Sequence, residues 1–256
     1  MRRRLLLLPL SGLFILFAAM DADARLFRAD NGDCRLIGVP LMRQTGRSDC
    51  APATMAAVLN YAGIPADARK IAADSGSTDA TGTDVEAMLG IVASTCAQRG
   101  LVIESLVGFD YARYRRIILA YNDLARKAGA KRLWFADRGH LDLAKTFADA
   151  DIVLLRRVMR RREREAFRRA VQTGIDADAP LIWGVVLGIA PEPELAPYSH
   201  GGHLRLIIGY NAKTREILYA DPWGPGHQLK RMALDDAHAL TMSLRRLKPA
   251  QRGRER

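Results

Sequence analysis

The chain has 256 residues and a formal net charge of +11, with three cysteines and five histidines. Its length supports one sizeable core or two lobes with a cleft between them. There is no Cys-x-x-Cys, no His-x-x-x-His and no phosphate-loop pattern among the scattered Gly76, Gly82, Gly90 and Gly100, so a zinc enzyme and a nucleotide enzyme are both disfavoured and no cofactor or metal is expected.

Arg2, Arg3 and Arg4 precede an apolar run from Leu5 to Met20, and Ala22-Asp23-Ala24 places small residues where a signal peptidase reads them. Residues 1–24 therefore read as a signal peptide cleaved after Ala24, and the mature chain as secreted or periplasmic. The run falls short of the ~20 residues a spanning helix needs and is interrupted by Pro9, Ser11 and Gly12, so a retained anchor is the minor reading. Membrane contact is expected only through this segment. Cleavage removes three arginines and two aspartates, leaving 232 residues near +10. Nucleic acid is not an expected partner of an exported chain. An oxidising compartment allows Cys34 to pair with Cys96 while Cys50 stays free; three unpaired thiols is the other reading.

Cys50 precedes Ala51-Pro52-Ala53-Thr54-Met55-Ala56-Ala57-Val58-Leu59-Asn60-Tyr61-Ala62-Gly63, which reads as one helix. Met55, Val58, Leu59 and Ala62 share a face, Ser48 or Asp49 caps the start, Pro52 fits the first turn, and Gly63 follows the end. A thiol at a helix N-terminus meets unpaired N–H groups and a positive dipole end, which favour the nucleophilic thiolate. A buried structural cysteine is the plainer alternative. Thr83 to Glu86 has the form of a capping box, opening a helix with Val85, Met88, Leu89 and Val92 on one face. A short strand is expected over 101–103 and helices over 111–126 and 141–147.

Residues 104–173 read as a long, charged, mostly helical insertion. Within them, residues 156–169 hold eight arginines, from Arg156 to Arg169, a candidate surface for an anionic cell-envelope partner. A solvated arginine-rich helix face is the equal alternative, since Glu163 and Glu165 offset the charge.

Residues 180–187 read as a buried strand. His203 follows Gly201-Gly202 and opens an apolar run, Leu204-Arg205-Leu206-Ile207-Ile208-Gly209-Tyr210, that reads as another. A turn at 211–215 returns the chain through Glu216-Ile217-Leu218-Tyr219-Ala220 to Asp221-Pro222-Trp223-Gly224. Such a hairpin brings the start of its first arm, His203, near the end of its second, Asp221, where a carboxylate can hold the second imidazole nitrogen. His200, in a loop-like stretch, is a second candidate base. The tail 245–256, rich in Arg and Lys, reads as a basic disordered end.

Gln44, then Cys-x-Pro-Ala opening a helix, then Gly-His before a strand ending in Gly-Tyr-Asn, then Asp-Pro-Trp-Gly: in this order and spacing the chain resembles the C39-like family of papain-like bacterial cysteine peptidases. The resemblance implies an α+β fold, with a helical lobe carrying the cysteine against an antiparallel sheet carrying histidine and aspartate, over residues 25–244. It also implies four roles: Cys50 as nucleophile, His203 as general base and acid, Asp221 as orienter, and Gln44 as oxyanion donor beside the Cys50 N–H. The implied activity is hydrolysis of a peptide or amide bond in a peptide or protein substrate through a thioester. Two alternatives stay open: a transferase, in which an amine intercepts the thioester, and an inactive binding module that keeps the fold.

Overall fold

The computed structural model describes residues 25–80, 82–135, 141–192 and 201–250. The expected signal peptide at 1–24 and the rival base His200 lie outside them. In chain order the elements are β1 (Leu26–Arg28), β2 (Asp33–Leu36), α1 (Cys50–Tyr61), α2 (Ala68–Asp74), α3 (Val85–Gln98), β3 (Leu101–Val107), α4 (Tyr111–Ala128), α5 (Leu143–Phe147), α6 (Ile152–Val158), α7 (Arg161–Asp176), β4 (Leu181–Leu187), β5 (Gly201–Asn211), β6 (Glu216–Ala220), β7 (Lys230–Ala233), α8 (Leu234–Leu240) and β8 (Thr241–Pro249).

The strands form one antiparallel sheet in the order β1-β2-β5-β4-β8-β3, with β6 pairing to β5 and β7 to β6. β5 is its axis: its first seven residues pair with β4, its last three with β2, and its second half also with β6. Side chains alternate across a sheet, and both faces here are apolar. Ile182, Leu204, Leu206 and Ile208 pack with Met55, Val58, Leu59, Met88 and Val92 of α1 and α3. Leu181, Trp183, Val185 and Ile207 pack on the other side with Ile117, Tyr121, Leu155, Phe167 and Val171 of α4, α6 and α7. A sheet buried on both faces explains why β4 reads as a continuous apolar run. The expected α+β layout, with Cys50 on a helix packed against the sheet that carries His203 and Asp221, is the one observed.

Two expectations are corrected. Residues 104–173 are not an appended helical insertion: 104–107 complete β3, and α4 to α7 form the layer that covers the sheet's second apolar face. The tail does not become disordered at 245. Arg245 to Pro249 lie in β8, between β4 and β3, where Leu244 and Leu247 fill the core while Glu86 takes Arg245 and Glu104 takes Arg246 and Lys248. Paired charge, which composition does not show, makes that basic segment foldable. Of the two readings of the thiols, the unpaired one holds: Cys34 and Cys96 are both free and buried, in the cores of opposite faces of the sheet.

Where β2 crosses β5, Gly209 sits at a register shift, and a Cβ there would lie 2.6 Å from the Cys34 carbonyl oxygen and 3.0 Å from the Arg35 Cα. Gly209→Ala must push β2 away and is expected to cost about 1–3 kcal/mol, a lowering of Tm by several degrees in a thermal melt.

Candidate active site

The cysteine-bearing helix begins at Cys50 with Asp49 at the N-cap position, but the Asp49 side chain makes no cap. Its Oδ2 instead accepts from the Gly46 N–H at 2.7 Å and the Thr45 hydroxyl at 2.8 Å, bending the segment between Gln44 and Cys50 into a tight loop. Thr83 is likewise not the cap of α3. Asp84 caps it, accepting from the Glu86 and Ala87 N–H groups, while the Thr83 hydroxyl donates to the Ser48 carbonyl at 2.9 Å. The start of α3 therefore braces the loop before the thiol. At the next turn of α1, the Thr54 hydroxyl donates to the Leu204 carbonyl at 3.2 Å, joining the helix to β5 one residue past His203.

His203 and Asp221 meet as the hairpin predicts. His203 Nε2 lies 2.9 Å from Asp221 Oδ1, and the two residues are 5% and 2% exposed. The Trp223 N–H donates to the same carboxylate oxygen at 3.2 Å, and the Trp223 ring lies against the imidazole with centroids 5.1 Å apart. With Nε2 engaged, Nδ1 is the imidazole nitrogen left for the half-buried Cys50. Gln44 is drawn in by the backbone: its N–H donates to the Pro222 carbonyl at 2.8 Å, tying the loop before the cysteine to the loop after Asp221.

The charges of the three groups are coupled. Burial alone pushes the Cys50 thiol up, but His203 and the backbone N–H groups of Leu204 and Ala51 outweigh it, and the thiol ends below its ordinary range. Burial likewise disfavours a charged His203, yet Asp221 and Cys50 overcome this and raise it. Asp221 is held below the usual carboxylate range, because His203 and Arg205 outweigh its burial. All three directions favour the ion-paired form, thiolate beside imidazolium with an ionised carboxylate behind it, over the neutral pair.

Cys50, His203 and Gln44 line one cavity of about 1040 Å³, with Phe109, Leu187 and Met242 among its apolar wall residues and Arg47, Glu86 and Arg245 among its charged ones. Asp221 stands behind His203, outside that lining. One hydrogen of Gln44 Nε2 is held by the Gly46 carbonyl at 2.9 Å, while the contact to the Arg47 carbonyl is long, 3.4 Å. Among the described residues no group of three or more His, Cys, Asp or Glu side chains is arranged to hold a metal.

Sequence reasoning missed Arg205, which grips Asp221 from behind, and Glu192, which holds Arg205. Arg205 left one sign, a charge inside an otherwise apolar strand. Glu192 stands in an irregular segment without any. Of the eight arginines in 156–169, Arg156 and Arg164 pair with Asp236 and Asp235 of α8 and Arg168 with Glu165, while Arg157, Arg160, Arg161, Arg162 and Arg169 are exposed.

The family described as Peptidase_C39 like matches residues 143–246, a span that contains His203 and Asp221 and begins well after Gln44 and Cys50. No curated protein matches the chain. Similar solved structures include the peptidase domain of ComA from Streptococcus, a bifunctional ABC transporter involved in a quorum sensing pathway. It is 14% identical, with 82% of this chain and 98% of that chain covered and a TM-score of 0.41. Xylellain, a cysteine protease from Xylella fastidiosa, is 13% identical, with coverage of 89% and 92% and a TM-score of 0.45.

Proposed function

From the C39-like match over residues 143–246, we propose that this protein is a cysteine peptidase whose nucleophile, Cys50, lies outside the matched span. The observation that carries this reading is the His203–Asp221 pair, at 2.9 Å and closed off from solvent, coupled to a half-buried thiol at a helix N-terminus. The Cys50 thiolate attacks the carbonyl carbon and forms a C–S bond. The oxyanion is met by the Cys50 backbone N–H and by the Gln44 Nε2 hydrogen that now makes only the long contact to Arg47. As the C–N bond breaks, His203 Nδ1 gives its proton to the departing amine. His203 then takes a proton from water, which attacks the thioester and releases the acid and the thiolate. Asp221 keeps the imidazole's tautomer and direction throughout.

Export is part of the proposal, supported by Arg2 to Arg4, the apolar run and the Ala22-Asp23-Ala24 signal. An anionic envelope partner would meet the five exposed arginines. The test is incubation of the mature chain with an unfolded protein mixture, reading new N-termini by mass spectrometry. New termini from the wild type and none from Cys50→Ser are expected; equal cleavage by both would remove Cys50 from the reaction.

A further inference from the structure

β5 carries a second buried ionisable residue on the face that holds His203. Arg205 is two residues on, so the pleat points both side chains the same way. It is fully buried, and its Nε donates to Asp221 Oδ2 at 2.5 Å, the carboxylate oxygen that His203 does not use. Its Nη1 donates to Glu192 Oε1 at 3.1 Å and its Nη2 lies 3.0 Å from Oε2. The Tyr219 hydroxyl donates to Glu192 Oε2 at 2.7 Å, and the guanidinium carbon sits 5.0 Å from the Tyr219 ring centre and 5.6 Å from that of Trp223.

A buried ion pair contributes little to stability compared with well-packed apolar side chains of the same size. This one touches the orienting carboxylate directly. Asp221 gripped only by His203 is free to rotate about its terminal torsion; gripped on Oδ2 by Arg205 and on Oδ1 by the Trp223 N–H, it is fixed in plane. A lone cation against Asp221 would cancel the negative charge that His203 needs; Glu192 offsets that cation from its other side, and shares its Oε2 with Lys230 Nζ at 3.7 Å.

We propose that Arg205, buckled to Glu192, is the positioning residue of this site: it locks the Asp221 carboxylate toward His203, while Glu192, shared with Lys230, offsets part of its charge so that the imidazole meets an oriented carboxylate. The inference rests on the reading of Cys50, His203 and Asp221 as the reacting set. The ionisable groups facing this cluster are Cys50 from α1, His203 from β5, Tyr219 from β6, Lys230 from β7, Glu192 after β4 and His227 in the loop after β6.

The test needs no substrate: the pH midpoint of iodoacetamide alkylation at Cys50, in the mature chain, for wild type, Glu192→Gln and Arg205→Met. Glu192→Gln leaves Arg205 on Asp221 but uncompensated, so the site becomes more positive and favours the thiolate. Its midpoint pH is expected to fall, so that the proton concentration at half-reaction rises by about threefold or more. Arg205→Met removes the cation beside Asp221 and leaves Glu192 with Lys230 alone, so the site becomes more negative and the midpoint is expected to rise. Should that variant fail to fold, Glu192→Gln carries the test alone. A wild-type midpoint below the ordinary thiol range that Glu192→Gln leaves in place would overturn the role of Arg205 and Glu192 and spare the reacting set. A wild-type midpoint at the ordinary thiol value would overturn both.

Discussion

His203→Ala is expected to abolish the low-pH reactivity of Cys50 and to lower kcat/KM for peptide hydrolysis by about a thousandfold or more. Burial raises the thiol and His203 is the largest influence opposing it, so the truncated site returns Cys50 to or above the ordinary thiol range near ~8.5. The rate of wild-type activity should climb with pH as the thiol ionises, with a midpoint below that range, and decline as His203 loses its proton, with a midpoint above the imidazole's ordinary value because Asp221 and Cys50 raise it. Alkylation of the two proteins across pH, with Cys50 identified by peptide mapping, checks the first limb. Equal rates well below neutral pH would show that the histidine does not activate the thiol.

The second large effect concerns stability in acid. His238 on α8 is 3% exposed, lies against the Phe167 ring with centroids 5.7 Å apart, and has a buried Nδ1 without a hydrogen-bond partner among the described residues. Burial first, then the Arg113 and Arg164 cations, push it down from 6.5 to about 4, against the pull of Glu163 and Asp235. Between those values the unfolded chain binds a proton that the folded one refuses, so stability falls as pH drops through that window and levels off below it. The loss amounts to about 3 kcal/mol. Urea unfolding at pH 7 and at pH 4 should show it in the wild type. Any packing cost of His238→Phe is the same at both pH values, so its difference between them should be smaller by about that amount; an equal difference would mean that His238 ionises in the folded state as it does in the unfolded one.

What the sequence made legible was the local chemistry. The helix after Cys50 shows itself by apolar period and by Gly63, and the β5–β6 hairpin by two β-branched runs around a polar turn, so the His203–Asp221 meeting follows from strand pairing alone. Less visible was whatever depends on a distant partner. The basic Arg245, Arg246 and Lys248 look disordered until Glu86 and Glu104 are seen opposite them. Helices α4 to α7 look appended until the second apolar face of the sheet requires a cover. Thr83 shows a capping pattern, yet it serves the loop before Cys50, because Asp84 sits one residue closer to the helix. Arg205 was in plain view within β5, and only the carboxylates on either side of it give the charge a purpose.

The placement of β5 and β8 has a consequence for how the protein is made. Cys50 lies in the first quarter of the chain, whereas the groups that ionise it, hold its helix and frame its cavity arrive with β5, β6 and β8 at the far end. Such long-range pairings form late, after the loops between them have closed. A chain still emerging from the ribosome thus carries an ordinary thiol at Cys50, and the coupling of that thiol to His203 waits until β5 and the strands around it are in place.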